Sequence, residues 1–144
     1  MFPEKMTNFI EEHHVLTLAV TDGSDLWCSH AFYTFVEAEQ LFVITSEDKT
    51  RHATLIERGN NIVAGAIALE TEKIGLIRGF QFKAEAIKCD SSLFNKYRLS
   101  YLKRFPYAII TSSDIWILRI TEAKLTDNRL GFGKKLVWKR EDEG

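Results

Sequence analysis

Apolar positions along this chain mostly alternate with polar ones or form short runs, a pattern that predicts strands more often than helices. Residues 14–21 are β-branched and apolar and run into Asp22-Gly23, a hairpin signal because glycine takes the turn's positive φ without steric cost. Residues 26–36 continue as one long strand rich in aromatics, and after a polar break residues 41–45 give a third, completing a meander. The period then changes. Residues 48–58 read as a short helix capped by Asp48 or Ser46 and stopped by Gly59. Residues 62–69 form a near-continuous apolar strand, and 73–88 a further strand in which Gly79 marks a bulge or corner. Leu93, Phe94, Tyr97, Tyr101, Leu102 and Phe105 fall at helical spacing, and Pro106 ends that segment; these aromatics read as core. Residues 115–125 alternate as a half-buried strand, 136–138 close the sheet, and the charged tail from Lys139 to Gly144 frays.

Many short strands with two to three helices, and no repeated βαβ unit, predict a mainly β fold built as a closed or split barrel. The length of 144 residues fits one domain, 1–144, that buries roughly two-thirds of its unfolded surface. The formal net charge of −1 gives no support for nucleic acid or an acidic membrane as partner. Cys28 and Cys89 are far apart and outside any CxxC pairing, which argues against a disulfide scaffold or zinc site and fits a reducing cytoplasm. The first twelve residues carry acids and lack a long apolar core, so they do not read as a secretory signal, and no apolar run is long enough to cross a bilayer. The expected location is cytoplasmic.

Candidate chemistry gathers at the strand-to-helix junction Thr45-Ser-Glu-Asp-Lys-Thr-Arg-His52. A helix start offers backbone N–H groups and the positive end of the macrodipole; Lys49 and Arg51 add charge, Thr45 and Thr50 hydroxyls. A capped surface helix with solvated cations has the same pattern, and spacing alone favours that reading over an anion site. In the strand Leu26-Trp-Cys-Ser-His-Ala-Phe-Tyr-Thr34, Ser29, His30 or Tyr33 could line a crevice, or the aromatics could mark a dimer seam. Cys28 and His30 share a strand face, but no further ligands stand at metal-site spacing. Arg78-Gly-Phe-Gln-Phe82 sets a guanidinium and an amide around a glycine, which suits either close ligand approach or a barrel corner. Gly131-Phe-Gly-Lys-Lys135 lacks the P-loop spacing, and no GxGxxG fingerprint occurs.

Taken in order, these pieces resemble the pyridoxamine-phosphate-oxidase-like, flavin-binding split barrels, and within them the small YhbP-type branch. The resemblance rests on Leu26-Trp-Cys with Ala31-Phe-Tyr, Lys49-Thr-Arg-His-Ala53, Leu76-Ile-Arg-Gly-Phe-Gln-Phe-Lys83 and Arg104-Phe-Pro106. Thr126-Asp-Asn128, Leu130-Gly-Phe-Gly-Lys-Lys135 and Trp138 complete the set, which spans most of the chain. It implies FMN as cofactor, with the phosphate and ribityl chain held near Ile44, Thr45, Lys49, Thr50 and Arg51. It also implies that the ring lies along Ser29, His30 and Ala31 with Gln81 beside it. A homodimer with the cofactor at the subunit seam is implied too, Lys135 and Trp138 coming from the partner.

One motif departs from the pattern. The vitamin B6 oxidases of this superfamily carry Arg-Leu-His near the C-terminus, whereas here Arg129-Leu130 is followed by Gly131, and the chain is shorter at its N-terminus. Pyridoxamine phosphate oxidation is therefore not expected. The expected function is FMN binding, with flavin-dependent oxidation or reduction of a small molecule. The alternatives are a non-catalytic flavin or haem store and a cofactor-free interaction dimer.

Overall fold

The computed structural model describes residues 2–47, 49–110 and 113–141. Among these, eight strands form one antiparallel sheet: β1 Val15–Thr21, β2 Leu26–Phe32, β3 Thr34–Val36, β4 Leu41–Ser46, β5 Ile62–Ala68, β6 Arg78–Lys88, β7 Asp114–Asp127 and β8 Lys135–Lys139. The hydrogen-bonded order is β2-β1-β5-β6-β7-β4-β3, with β8 on β7. The two ends of that path, β2 and β3, are halves of the extended run expected at 26–36, so the sheet curls back on itself as a split barrel. The run is not one strand. It breaks at Tyr33, whose ring is fully buried, whose hydroxyl donates to the Ile10 carbonyl at 2.6 Å and whose own carbonyl accepts from Arg104 at 2.8 Å.

Alternation decides which residues fill the barrel. Leu16, Leu18 and Val20 of β1, Phe42 and Ile44 of β4, and Phe80, Phe82, Ala84 and Ala86 of β6 all point inward and are buried. Gly65 of β5 makes room for this core, since a Cβ there would stand 2.2 Å from the Phe82 ring. A smaller core forms outside the barrel, where Tyr97 and Tyr101 of α3 (Ser91–Arg104) cover Leu41, Val43, Ile115 and Ile117. The aromatics of that helix are core, as its spacing predicts. Asp90 caps it, its carboxylate accepting from the Ser92 and Leu93 N–H groups.

Several boundaries differ from the sequence reading. The first segment is a helix, α1 (Glu4–Glu12), whose Met6, Phe9 and Ile10 enter the main core beside Phe2. The helix after β4 is α2 (Arg51–Arg58), and its cap is Thr50, whose hydroxyl accepts from the Ala53 N–H. Ser46 instead ends β4, and Asp48 lies outside the described residues. Gly59 does stop α2, but at φ −94° it serves by size: a Cβ would meet the Thr21 carbonyl oxygen at 2.6 Å.

The strand expected from Lys73 begins only at Arg78, after a 3-10 turn at Ile74–Leu76. Gly79 is no bulge, because it pairs regularly with Ala68 and Thr126. The irregularity lies instead between Lys83 and Ala84, opposite Glu122 and Ile120, which leaves Thr121 as the extra residue. There β7 exchanges one neighbour for another, β4 pairing it up to Arg119 and β8 from Glu122. So β8 extends the edge begun by β4 rather than closing the sheet. Nor does the tail fray from Lys139, which pairs with Glu122. Beyond it the Arg140 N–H donates to the Thr121 carbonyl at 2.9 Å and its guanidinium to the Ile120 carbonyl at 2.8 Å. Residues 142–144 lie outside the described residues. Among the described residues no helix is long and apolar enough to cross a membrane.

Candidate functional site

The corner where β4 leaves the sheet and α2 begins brings together most of the junction residues. Ser46, Thr50 and His52 form a compact polar set: Ser46 Oγ lies 2.6 Å from His52 Nε2 and 3.1 Å from Thr50 Oγ1. The Thr50 hydroxyl also donates to the Glu47 carbonyl at 2.8 Å, which fixes the turn into the helix. His52 is half-buried, and loss of hydration holds its imidazole below its ordinary value, so the neutral form is favoured. Ile44 is fully inside the core and can offer a ligand only its backbone, whereas Thr45 is half-buried and Lys49 is exposed.

Arg51, the first residue of α2, leans over the start of β2. Its guanidinium lies 4.0 Å from the centre of the Trp27 ring and donates to the Asp25 carboxylate at 2.8 Å. That carboxylate is fixed by a tight β1–β2 turn. Asp22 Oδ1 accepts from the Ser24 and Asp25 N–H groups, Gly23 sits at φ +98°, and Asp25 Oδ1 accepts from the Leu26 N–H. Arg51 in turn holds the Asp25 carboxyl below the usual carboxylate range.

The register of β2 against β1 splits the expected ring-contacting residues between two faces. Trp27, Ser29 and Ala31 stand opposite Val20, Leu18 and Leu16 and share their inward face; Leu26, Cys28, His30 and Phe32 face outward. Ser29 Oγ is buried and has no hydrogen-bond partner among the described residues, an unsatisfied group on the strand against which α2 packs. A polar ligand reaching along this strand would satisfy it. His30 projects from the outer face, where its Nδ1 meets Thr17 Oγ1 at 3.1 Å.

The remaining expected residues lie on another part of the sheet. Gln81 of β6 is exposed on the outer face, three strand steps from β2, which is roughly 14 Å at the usual spacing. It lines a groove of about 550 Å³ with Lys83, Glu122, Lys124 and Val137. Lys135 faces outward further along β8. Trp138 also borders the groove, but its ring packs edge-on against Phe2 at 4.4 Å, on the core side. One chain therefore does not bring Gln81 and Lys135 to the β4–α2 corner. Sequence reasoning missed Asp25 and Trp27 as members of that corner; the aromatic ahead of the Cys-Ser-His run was the available signal for Trp27.

The curled antiparallel sheet, whose ends β2 and β3 adjoin in the chain without pairing, defines a split β-barrel, with α2 packed on β1 and β2 beside the cationic corner. Solved structures share that fold: a haem-binding protein from Mycobacterium smegmatis superposes with a TM-score of 0.77 at 17% identity, over 96% of this chain and 59% of its own. HutZ, a haem storage protein from Vibrio cholerae, gives 0.66 at 18% identity, over 96% and 95%. An FAD-binding protein from Mesorhizobium loti gives 0.69 at 7% identity, over 87% and 94%. This chain thus spans less than two-thirds of the mycobacterial protein, and at these identities the likeness is one of fold. No protein-family model matches the sequence. Curated relatives do match: a UPF0306 protein of Serratia proteamaculans is 39% identical over 137 residues, 95% of this chain and 94% of the relative. Another, from Photorhabdus laumondii, is 41% identical over 132 residues, 92% of each. The chain belongs to the UPF0306 family, which includes proteins named YhbP.

Proposed function

We propose that this chain binds flavin mononucleotide at the β4–α2 corner, works as a homodimer, and serves as a flavin-dependent oxidoreductase on a small molecule. The observation that carries the reading is the conjunction of Arg51, Lys49 and the start of α2 with the buried, unsatisfied Ser29 hydroxyl on the adjoining strand. Cations beside a helix start suit a phosphate, since the guanidinium fork can hold two of its oxygens. Like-folded proteins described as binding haem or FAD support a ligand in this type of barrel.

Bound flavin would supply two-electron chemistry by accepting or releasing hydride. The chain's own residues would bind and orient it: Thr45 and Thr50 beside the phosphate, Ser29 and Ala31 along the ring. The outer face of β1, β2 and β5 supports the dimer. It carries Leu26, Phe32 and Ile62 exposed beside a floor of small residues, Ala19, Ala64 and Ala66. A second copy seated there would cover these exposed apolar side chains, on the face of β2 opposite Ser29 and Ala31.

Purified protein should be yellow, with a flavin absorption band released on denaturation. Arg51→Ala should weaken FMN binding by about one order of magnitude, the loss of a charge-assisted bond. Unchanged affinity in a flavin titration of that variant rejects the corner as the phosphate site. Stoichiometric oxidation of NADH or NADPH with an added acceptor would establish turnover, and its absence in flavin-loaded protein would leave a storage role.

A second reading, haem, has one observation in its favour. His30 stands on the exposed face with Nδ1 at Thr17, and a ligand histidine is ordinarily oriented in this way through its other nitrogen. A haem absorption band after reconstitution that is lost in His30→Ala would select it.

A further inference from the structure

The Arg51 guanidinium at the proposed phosphate corner already holds an anion, the Asp25 carboxylate at 2.8 Å. This partner is not a loosely wandering side chain. Asp25 belongs to a turn in which the Asp22 N–H donates to its carbonyl at 3.2 Å and the Thr21 hydroxyl donates to the same oxygen at 2.7 Å. Its Oδ1 is engaged by the Leu26 N–H at 2.9 Å, which leaves Oδ2 aimed at Arg51. On the other side, Trp27 supports the flat of the guanidinium at 4.0 Å. Stacking of that kind fixes the plane of the group while its N–H donors still point outward along the edge.

We propose that Asp25 is a specificity-determining residue of this corner, standing in for ligand phosphate on Arg51 so that only a doubly charged phosphoryl group displaces it. The proposal rests on the corner being the flavin phosphate site. Its physics is an exchange. A singly charged or neutral ligand gains at Arg51 no more than Asp25 already provides, so displacement yields nothing. A phosphate monoester dianion attracts the same cation about twice as strongly at equal distance, so the exchange favours it. Trp27 is a positioning residue in this scheme, holding the guanidinium where either anion can reach it. Both partners of the existing pair are about half exposed, at 49% and 51%, so the competition is modest in size.

The test compares wild type, Asp25→Asn and Arg51→Ala, titrated with FMN and with riboflavin, which lacks the phosphate. Asparagine retains the oxygen that accepts from the Leu26 N–H, so the turn persists in the first variant. Asp25→Asn should bind FMN about fivefold more tightly with riboflavin unchanged, the upper range for an exposed ion pair. Arg51→Ala should bring the two flavins to nearly equal affinity. A parallel titration with inorganic phosphate, followed by the indole emission that Trp27→Phe removes, reads Arg51 without any flavin; Asp25→Asn should respond at lower phosphate than wild type. If Asp25→Asn binds FMN no better than wild type while Arg51→Ala still weakens it, the competition is refuted and the flavin site stands. If no variant binds FMN but inorganic phosphate still separates Asp25→Asn from wild type, the flavin site falls and the competition for an anion survives. Silence in both titrations overturns both.

Discussion

At the β4–α2 corner, the ionisation of His52 is linked to folding. Burial favours its neutral form, so its folded value lies below the ordinary 6.5 that the unfolded chain keeps. Above that pH neither state is protonated and the contribution to stability is fully present. As the pH falls the unfolded chain takes up the proton first, so stability is lost from about pH 6.5 down through the folded value. His52→Gln should flatten this part of the profile, read as urea midpoints at about pH 7.5 and about pH 5.5. Parallel profiles for the two proteins would show that His52 is not the group responsible. Gly65 offers a sharper test of packing, because a Cβ there would stand 2.2 Å from the Phe82 ring and 2.9 Å from the Thr17 carbonyl oxygen. Gly65→Ala should therefore destabilise by about 2–3 kcal/mol in chemical denaturation, as overpacking does.

Among the elements, α1 sends Met6, Phe9 and Ile10 into the main core. Phe9 is 1% exposed, its ring centre lies 4.3 Å from that of His13 at a tilt of 40°, and it sits under the Arg78 guanidinium at 5.3 Å. Phe9→Ala should cost about 3–5 kcal/mol, measured by equilibrium unfolding. Nothing in the strand-oriented reading pointed to this helix. Yet Phe2, Met6, Phe9 and Ile10 fall at i, i+4, i+7 and i+8, a legible stripe diluted by the acids and histidines around it. The strands at 14–21 and 62–69 were legible to within a residue or two, the first from a β-branched apolar run into Asp22-Gly23 and the second from a near-continuous apolar run. The junction after β4 was legible for a related reason: strand end, cap and helix start are neighbours in the chain. The partner of Arg51 was not, since Asp25 is separated from it by 26 positions and only the folded sheet brings them together. Thr121 escaped too, because its bulge arises where β4 gives way to β8, a non-local event with no local composition to mark it.

For the molecule as a whole, the proposed dimer would use the outer face of β1, β2 and β5. Leu26 is 73% exposed and Phe32 53%, on the face that also carries Ala19, Ala64 and Ala66. Phe32→Glu should convert a dimer to a monomer in sedimentation velocity. A variant that remains dimeric would place the seam elsewhere. The broken strand at 26–36 bears on synthesis as well as on shape. When the first fifty residues leave the ribosome they contain both partners of two hairpins, β1 with β2 and β3 with β4, but nothing to bridge them. The bridge, β5 through β7, ends only at Asp127. Until then the emerging chain bears two sheet edges with open hydrogen-bonding groups, so shortened products ending before β7 should aggregate or recruit chaperones while the finished polypeptide does not.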